Sequence, residues 1–85
     1  MNYKIIIEKK ASKEATFIPQ KDRIAIDKKI LALSVNPRPQ ASKKLTEKDG
    51  YRIRVGNYRI LYTIDDEAKM VVIYRIKTRS EKTYK

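Results

Sequence analysis

The sequence predicts an α+β domain in which two helices cover one face of a mainly antiparallel sheet, in the order β-α-α-β-β-β. Three features predict this fold: a short β-branched opening, a helical pattern over residues 11–34, and a second half rich in alternating strands. The 85 residues, 41% of them apolar, suffice for one modest core, so a single domain over 1–85 is expected.

The first half begins with a strand over Tyr3–Glu8, which is rich in isoleucine and bounded by charged residues. Helical patterning follows and is interrupted at Pro19. Ser12 is the expected N-cap of a short first helix, and Pro19 suits the first turn of a longer second helix. The Asn36–Pro39 segment then ends that helix, because it contains two prolines.

The second helix carries two apolar stripes on nearly opposite sides. The first stripe contains Ile26, Ile30 and Leu33, and it is expected to pack on the sheet. The second stripe contains Ile24 and Leu31, and two alternatives remain open for it. It either packs on the first helix or stays exposed as a surface for a partner.

The second half reads as three strands joined by two turns. A basic connection over Ser42–Thr46 leads to a strictly alternating strand over 51–55, and Gly56-Asn57 is typical of a two-residue hairpin turn. A second strand over 58–64 and an acidic turn over 65–69 follow, and the last strand covers 70–76.

Composition limits the chemistry of the chain. Cysteine and histidine are both absent, which excludes disulfides, thiolate metal sites and histidine-based catalysis, so no metal or other cofactor is expected. The net charge of +11 favours a polyanionic partner, although lysine-rich surfaces also serve solubility. No segment is apolar enough to cross a membrane and the N-terminus lacks a signal-peptide pattern, so a cytoplasmic protein is expected.

The hairpin turn places three arginines on one face of the sheet. If Gly56 and Asn57 form the turn, Arg54 lies directly opposite Arg59, and Arg52 shares their face. Like charges in that position destabilise a hairpin, and bidentate phosphate binding would explain their presence. The alternative is that the arginines extend into water or pair with the acidic turn.

Arg75 is expected to join this face if the acidic turn uses five residues. A change of one residue in that turn would point Arg75 to the other side of the sheet. The Arg75 assignment therefore depends on the length of the turn.

If the bound phosphate belongs to RNA, cleavage by the 2′-hydroxyl needs a base, an acid and stabilisation of charge on the phosphate. Arginines supply the stabilisation. Tyr84 is the best single candidate for proton transfer, because nearby positive charge would lower the pKa of its phenol. Its alternatives are a ring that stacks on a base and a frayed terminal residue.

These residues suggest a family. The stretch from Gly50 to Tyr62, GYRIRVGNYRILY, resembles the central hairpin of RelE-type toxins of the RelE/ParE superfamily. The acidic turn, a Val/Ile-rich strand and Arg79-Ser80-Glu81 leading to Tyr84 continue the likeness. With its strand-helix-helix opening, the chain resembles the family over essentially its whole length, which implies a RelE-like fold.

The resemblance implies the toxin of a type II toxin–antitoxin system, acting as a metal-free mRNA interferase that cuts messenger RNA in the ribosomal A site. Implied partners are the ribosome, mRNA and a cognate antitoxin that neutralises the toxin and helps repress their operator DNA, with no membrane or small-molecule substrate. By position, Arg59 matches the arginine that stabilises the transition state. Arg79 matches the C-terminal arginine, and Tyr84 the tyrosine that acts on the nucleophile or stacks on the base.

The sequence departs from the family pattern in three places. Arg52 and Arg54 stand where well-studied members have lysines, so phosphate binding is their expected role, because arginine is a poor base. Thr46 occupies a position that is often basic, with Lys43 and Lys44 as substitutes. The interval between the two C-terminal site residues is one residue off, so one of those two matches is open to a shift.

Two rival functions remain. A ParE-type member of the same fold would poison DNA gyrase, but such proteins generally lack the C-terminal Arg and Tyr, so Arg79 and Tyr84 favour the ribonuclease. A non-enzymatic nucleic-acid-binding domain would bind mainly through phosphate neutralisation, with strong salt dependence. A membrane-surface helix is disfavoured by the strict strand alternation.

Overall fold

The computed structural model describes residues 2–45 and 50–78, which contain two helices and five strands. The elements in chain order are β1 (Lys4–Ile7), α1 (Lys9–Thr16), α2 (Gln20–Val35), β2 (Lys43–Lys44), β3 (Gly50–Val55), β4 (Tyr58–Asp65) and β5 (Met70–Thr78). Thr46, Arg79 and Tyr84 lie outside the described residues.

The strands form one sheet in the order β1-β5-β4-β3-β2. β1 pairs with β5 in parallel, and the other neighbours are antiparallel. The predicted α+β fold with a mainly antiparallel sheet is confirmed. The two-residue strand β2 was not predicted, because it is defined by its pairing with β3 and has no apolar pattern of its own.

The two helices begin and end close to the predicted boundaries, with one correction. α1 starts at Lys9 with Glu8 as its N-cap, so the assignment of Ser12 as N-cap is wrong. β1 runs directly into this helix, and the Ser12 amide already donates to the Glu8 carbonyl at 2.9 Å. Pro19 is the N-cap of α2, one position outside the first turn, and the helix ends at Val35 as predicted.

One side of the sheet forms the core against α2. The predicted inner stripe of α2 is buried there, and the sheet contributes the buried side chains of Ile53, Ile60, Tyr62, Val71, Ile73 and Ile76. The second stripe remains exposed, with Ile24 at 50% and Leu31 at 66%. Of the two alternatives for this stripe, packing on α1 is therefore wrong, and the stripe lies exposed on the surface.

The hairpin between β3 and β4 has the predicted register. Val55 pairs with Tyr58 across the turn, and Arg54 pairs with Arg59. Gly56 has a φ of 61°, which a two-residue turn of this kind requires at its first loop position and which glycine adopts without strain.

Candidate functional site

We name five cations on the side of the sheet opposite the core the basic face: Lys43, Arg52, Arg54, Arg59 and Lys77. Residues that are direct partners in a sheet project to the same side, with Cβ atoms about 4.5–5.5 Å apart. The register therefore forms one row of three cations and, beside it, a shorter row of two.

The row of three runs across the middle of the sheet. Arg54 on β3 pairs with Arg59 on β4, and Arg59 pairs with Lys77 on β5. Alternation along each strand explains the placement, because the neighbouring Ile53 and Ile60 point into the core. The predicted grouping of Arg52, Arg54 and Arg59 on one face agrees with this register.

Lys77 is a member of the basic face that sequence reasoning missed. Leu61 pairs with Arg75 and Tyr62 pairs with Ile73, so β5 has one extra residue between these two partners. This irregularity places Lys77 opposite Arg59. Tyr74 is the extra residue of this β-bulge. Lys77 directly follows the strand predicted over 70–76, and the bulge that directs its side chain leaves no mark in the alternation pattern.

Arg59 occupies the centre of the row and is only partly exposed. Its Nε atom is buried and has no hydrogen-bond partner within the described part of the chain. A buried charged donor without a partner is costly, at about 1–3 kcal/mol or more. Because this atom is shielded from water, the Arg59 guanidinium is partly desolvated, and its charge acts more strongly on an anion bound beside it.

A cleft of about 320 Å³ adjoins the row at the edge of the sheet. Ala41, Lys43, Arg52 and Arg54 line it. Lys43 is the direct partner of Arg52, so these two candidate phosphate-binding residues lie side by side. Lys44 pairs with Tyr51, whose ring packs on the core side, so the structure does not bring Lys44 to the basic face.

Arg75 is engaged by a carboxylate. The acidic turn uses four residues, 66–69, rather than the expected five, but the bulge that follows it pairs Arg75 with Leu61 on the side of the sheet away from the core. The Arg75 side chain donates through Nε to Glu14 at 2.9 Å and forms an ion pair with the same carboxylate at 2.9 Å. Burial disfavours the Glu14 carboxylate, but the bonds from Arg75 and the Ile76 amide outweigh it and lower its pKa.

The acidic turn also has a carboxylate, Asp66, whose partners lie away from the basic face. Asp66 accepts hydrogen bonds from Arg38 at 2.9 and 3.2 Å and from the Tyr3 hydroxyl at 2.7 Å. These contacts lower the pKa of Asp66 to about 2. The two ion pairs between described residues thus join Arg38 to Asp66 and Arg75 to Glu14, and neither neutralises the basic face.

A phenol lies on the same side of the sheet as the basic face. A Cβ atom added at Gly50 would project toward that side and would lie 2.8 Å from the hydroxyl oxygen of Tyr74. The structure therefore brings one described tyrosine to this surface, whereas Tyr84 and Arg79 fall outside the described residues.

The arrangement suits the binding of a chain of phosphates. Within residues 2–45 and 50–78 no cluster of three acidic side chains could hold a metal ion. No helix in the same ranges has the length and apolar character needed to cross a bilayer. A surface with five cations and a buried, unpartnered guanidinium nitrogen can hold a phosphodiester and stabilise additional negative charge on it.

Comparison with known proteins points to toxins. The family described as the ParE toxin of the type II toxin–antitoxin system parDE matches residues 5–83. No curated protein matches the chain significantly.

Solved structures of toxin–antitoxin complexes are similar to this chain. A chain of the archaeal RelE–RelB complex from Pyrococcus horikoshii has a TM-score of 0.84 at 27% identity, covering 93% of this chain and 97% of that one. The RelBE2 complex from Mycobacterium tuberculosis gives 0.83 at 29%, covering 93% and 100%. The intact Escherichia coli RelBE complex gives 0.78 at 27%, covering 89% and 95%.

Proposed function

This chain belongs to the ParE toxin family of type II toxin–antitoxin systems, and we propose that within this family of toxins it acts as a ribosome-dependent mRNA interferase. One observation carries the proposal: the row of Arg54, Arg59 and Lys77, in which the central guanidinium has a buried and unpartnered Nε. The similarity to RelE-containing complexes at 27–29% identity supports the same activity.

The proposed reaction is attack by a ribose 2′-oxygen on the adjacent phosphorus. The new P–O bond forms as the bond to the 5′-oxygen breaks. The 2′-hydroxyl gives its proton to a base and the departing 5′-oxygen takes one from water, which leaves a cyclic phosphate and a free 5′-hydroxyl. Negative charge builds on the phosphate oxygens, and the row of three cations stabilises it; one such positioned donor is typically worth about 10²–10³ in rate. Arg52 and Lys43 hold the neighbouring backbone in the edge cleft.

Proton transfer is the role proposed for the C-terminal tyrosine. Because the chain has no histidine, Tyr84 takes the proton of the 2′-hydroxyl or stacks on the adjoining base, and Arg79 adds a further cation. Arg75 is assigned to Glu14 instead of to phosphate, since its Nε and terminal nitrogen are already engaged.

The proposed partners follow from the charge and from the similar structures. A net charge of +11 suits binding to the RNA of a translating ribosome, which would place the protein in the cytoplasm. The similar structures are toxin–antitoxin complexes, which supports a cognate antitoxin for this chain. Corepression on operator DNA by that complex is part of the same proposal.

Primer extension on mRNA in a translating cell-free system tests the activity. The proposal expects new 5′ ends at A-site codons when the protein is added, and intact mRNA when ribosomes are omitted. Cutting of naked RNA at the same rate would contradict ribosome dependence. Intact mRNA on translating ribosomes would refute the nuclease.

Point variants test the site. We expect Arg59→Ala to slow cutting by about 10²–10³-fold while the fold persists. We expect Tyr84→Phe to slow it by orders of magnitude, because the phenol oxygen that takes the 2′-hydroxyl proton is lost. Lys28→Ala is the matched control, since it removes one positive charge from an exposed position of α2. Cutting at the wild-type rate by the Arg59→Ala variant would show that the row of cations does not stabilise the transition state.

Poisoning of DNA gyrase is the second candidate, and the match to the ParE family favours it. The same protein preparation incubated with gyrase and plasmid distinguishes the two activities. Cleaved or relaxed plasmid with intact mRNA supports the gyrase poison. If neither nucleic acid changes, a basic domain that only binds nucleic acid remains.

A further inference from the structure

We propose that Glu14 is a positioning residue: its carboxylate fixes the register of β5 after the bulge and thereby delivers Lys77 to the basic face. This inference rests on the proposed function for its catalytic consequence, but its structural content can be measured separately. It is carried by the edge of β5, the two oxygens of Glu14 and the effect of the bulge on side-chain direction.

The outer edge of β5 has a strand neighbour along only part of its length. β1 pairs with Met70 to Ile73, and the Glu8 amide donates to the Ile73 carbonyl at 2.9 Å as the last backbone contact of this kind. Beyond that point α1 lies beside the strand, and a helix backbone offers no ladder to the amides of β5. An unpaired strand edge is prone to slippage and to pairing with other chains.

The Glu14 side chain takes the place of the missing strand. One carboxylate oxygen accepts the Ile76 amide at 2.8 Å, and the other accepts Arg75 Nε at 2.9 Å. The ion pair to a terminal nitrogen of Arg75 is also 2.9 Å long, and the Glu14 side chain is only 23% exposed. Both oxygens therefore hold the two residues that directly follow the extra residue of the bulge.

The bulge decides which side chains reach the basic face. Asp65 pairs with Met70 and Tyr62 pairs with Ile73, so an unbroken ladder would continue to Arg59 opposite Ile76 and Tyr58 opposite Lys77. Lys77 would then point into the core and Ile76 onto the basic face, because a slip of one residue exchanges the two sides of a strand. In the structure Ile76 is buried and Lys77 is opposite Arg59.

Glu14 distinguishes the two registers because its bonds exist only in the bulged one. In the bulged register the Arg75 side chain points to α1 and the Ile76 amide points outward, so the Glu14 carboxylate binds both. In the unbroken register the Arg75 side chain would face the core. Glu14 binds Arg75 and the Ile76 amide rather than Lys77, so its effect on phosphate is transmitted through the strand.

A double-mutant cycle tests the transmission. We expect Glu14→Ala to slow A-site cutting about 10- to 100-fold, as a misplacement of about 1 Å commonly does, and Lys77→Ala to slow it by a similar or larger factor. The Glu14→Ala/Lys77→Ala double variant should be no slower than Lys77→Ala alone, because Glu14 then has nothing to position. Independent effects that multiply would overturn the proposal.

Two further variants keep the test decisive. Glu14→Gln retains an oxygen for the Ile76 amide and loses the charge that holds Arg75, so it should slow cutting less than Glu14→Ala, and again only when Lys77 is present. If Glu14→Ala does not fold, the cycle with Glu14→Gln replaces it. Glu67→Gln, in the exposed turn, removes the same charge and should cut at the wild-type rate.

A measurement that needs no cutting separates this inference from the proposed function. Hydrogen exchange of the Ile76 amide should accelerate at least about tenfold in Glu14→Ala and remain near wild type in Glu14→Gln and Glu67→Gln. If the wild type cuts no RNA while Ile76 exchange responds in this way, the function fails and the register assignment stands. Unchanged Ile76 exchange in a folded Glu14→Ala protein overturns the assignment.

Discussion

Arg54 and Arg59 face each other across the hairpin, and the ion pairs of the described residues involve other side chains. Relieving this repulsion should stabilise the protein at the expense of its activity. We therefore predict that Arg54→Thr raises the free energy of unfolding while it slows cutting. Threonine is chosen because it is a good strand former, so the substitution does not weaken the β-propensity of β3.

The magnitude follows from the cross-strand geometry. Like charges in directly opposed positions cost about 0.2–1 kcal/mol. Because Arg54 is the more exposed member of the pair, we expect Arg54→Thr to raise the free energy of unfolding by about 0.5 kcal/mol. For a domain of this size about 1 kcal/mol corresponds to a shift of about 4–8 °C in Tm, so the variant should melt about 2–4 °C higher.

A comparison at two salt concentrations shows whether the gain in unfolding free energy is electrostatic. The Debye length is about 10 Å at 0.1 M salt and about 3 Å at 1 M, so screening should abolish most of the gain at the higher concentration. Urea denaturation followed by circular dichroism, at both salt concentrations, measures the difference in unfolding free energy directly.

The control is Lys4→Thr. It removes one positive charge from an exposed strand position whose registered partner is Met70, so it should show little salt-dependent gain. A gain in Arg54→Thr that is equal at both salt concentrations, or a loss of stability at about 0.1 M, would refute repulsion as the cost of the basic face.

Two other predictions concern stability. The pKa of Asp66 is about 2 instead of 3.8, so its contacts with Arg38 and Tyr3 stabilise the fold above about pH 4, and this stability is lost as the pH falls through 2. The variant Asp66→Asn should therefore show a smaller fall in Tm between about pH 4 and pH 2. An unchanged dependence of Tm on pH would contradict this linkage. Tyr62→Phe removes the bond from a fully buried hydroxyl to the Pro37 carbonyl at 2.8 Å and should cost about 1–3 kcal/mol in urea denaturation. Tyr51→Phe, whose hydroxyl accepts from Arg38 in an exposed contact at 3.1 Å, should cost less, and equal losses would argue against burial as the cause.

Features that depend on local backbone geometry could be predicted from the sequence. Alternation along β3 and β4, together with Gly56-Asn57, specified which side chains share a face and that Arg54 opposes Arg59. A strand has a side-chain period of two and a tight turn leaves little freedom, so residues close in sequence carry enough information. The inner stripe of α2 was predictable for the same reason.

Only the tertiary structure decided the features that depend on distant contacts. A bulge in β5 places Lys77 opposite Arg59, and Glu14, about sixty residues earlier, binds Arg75 and the Ile76 amide just after that bulge. Likewise, the pairing of β2 with β3 places Lys43 on the basic face and Lys44 on the other side. A slip of one residue reverses every side chain of a strand, and long-range packing selects between the two registers, so periodicity alone could not assign these residues.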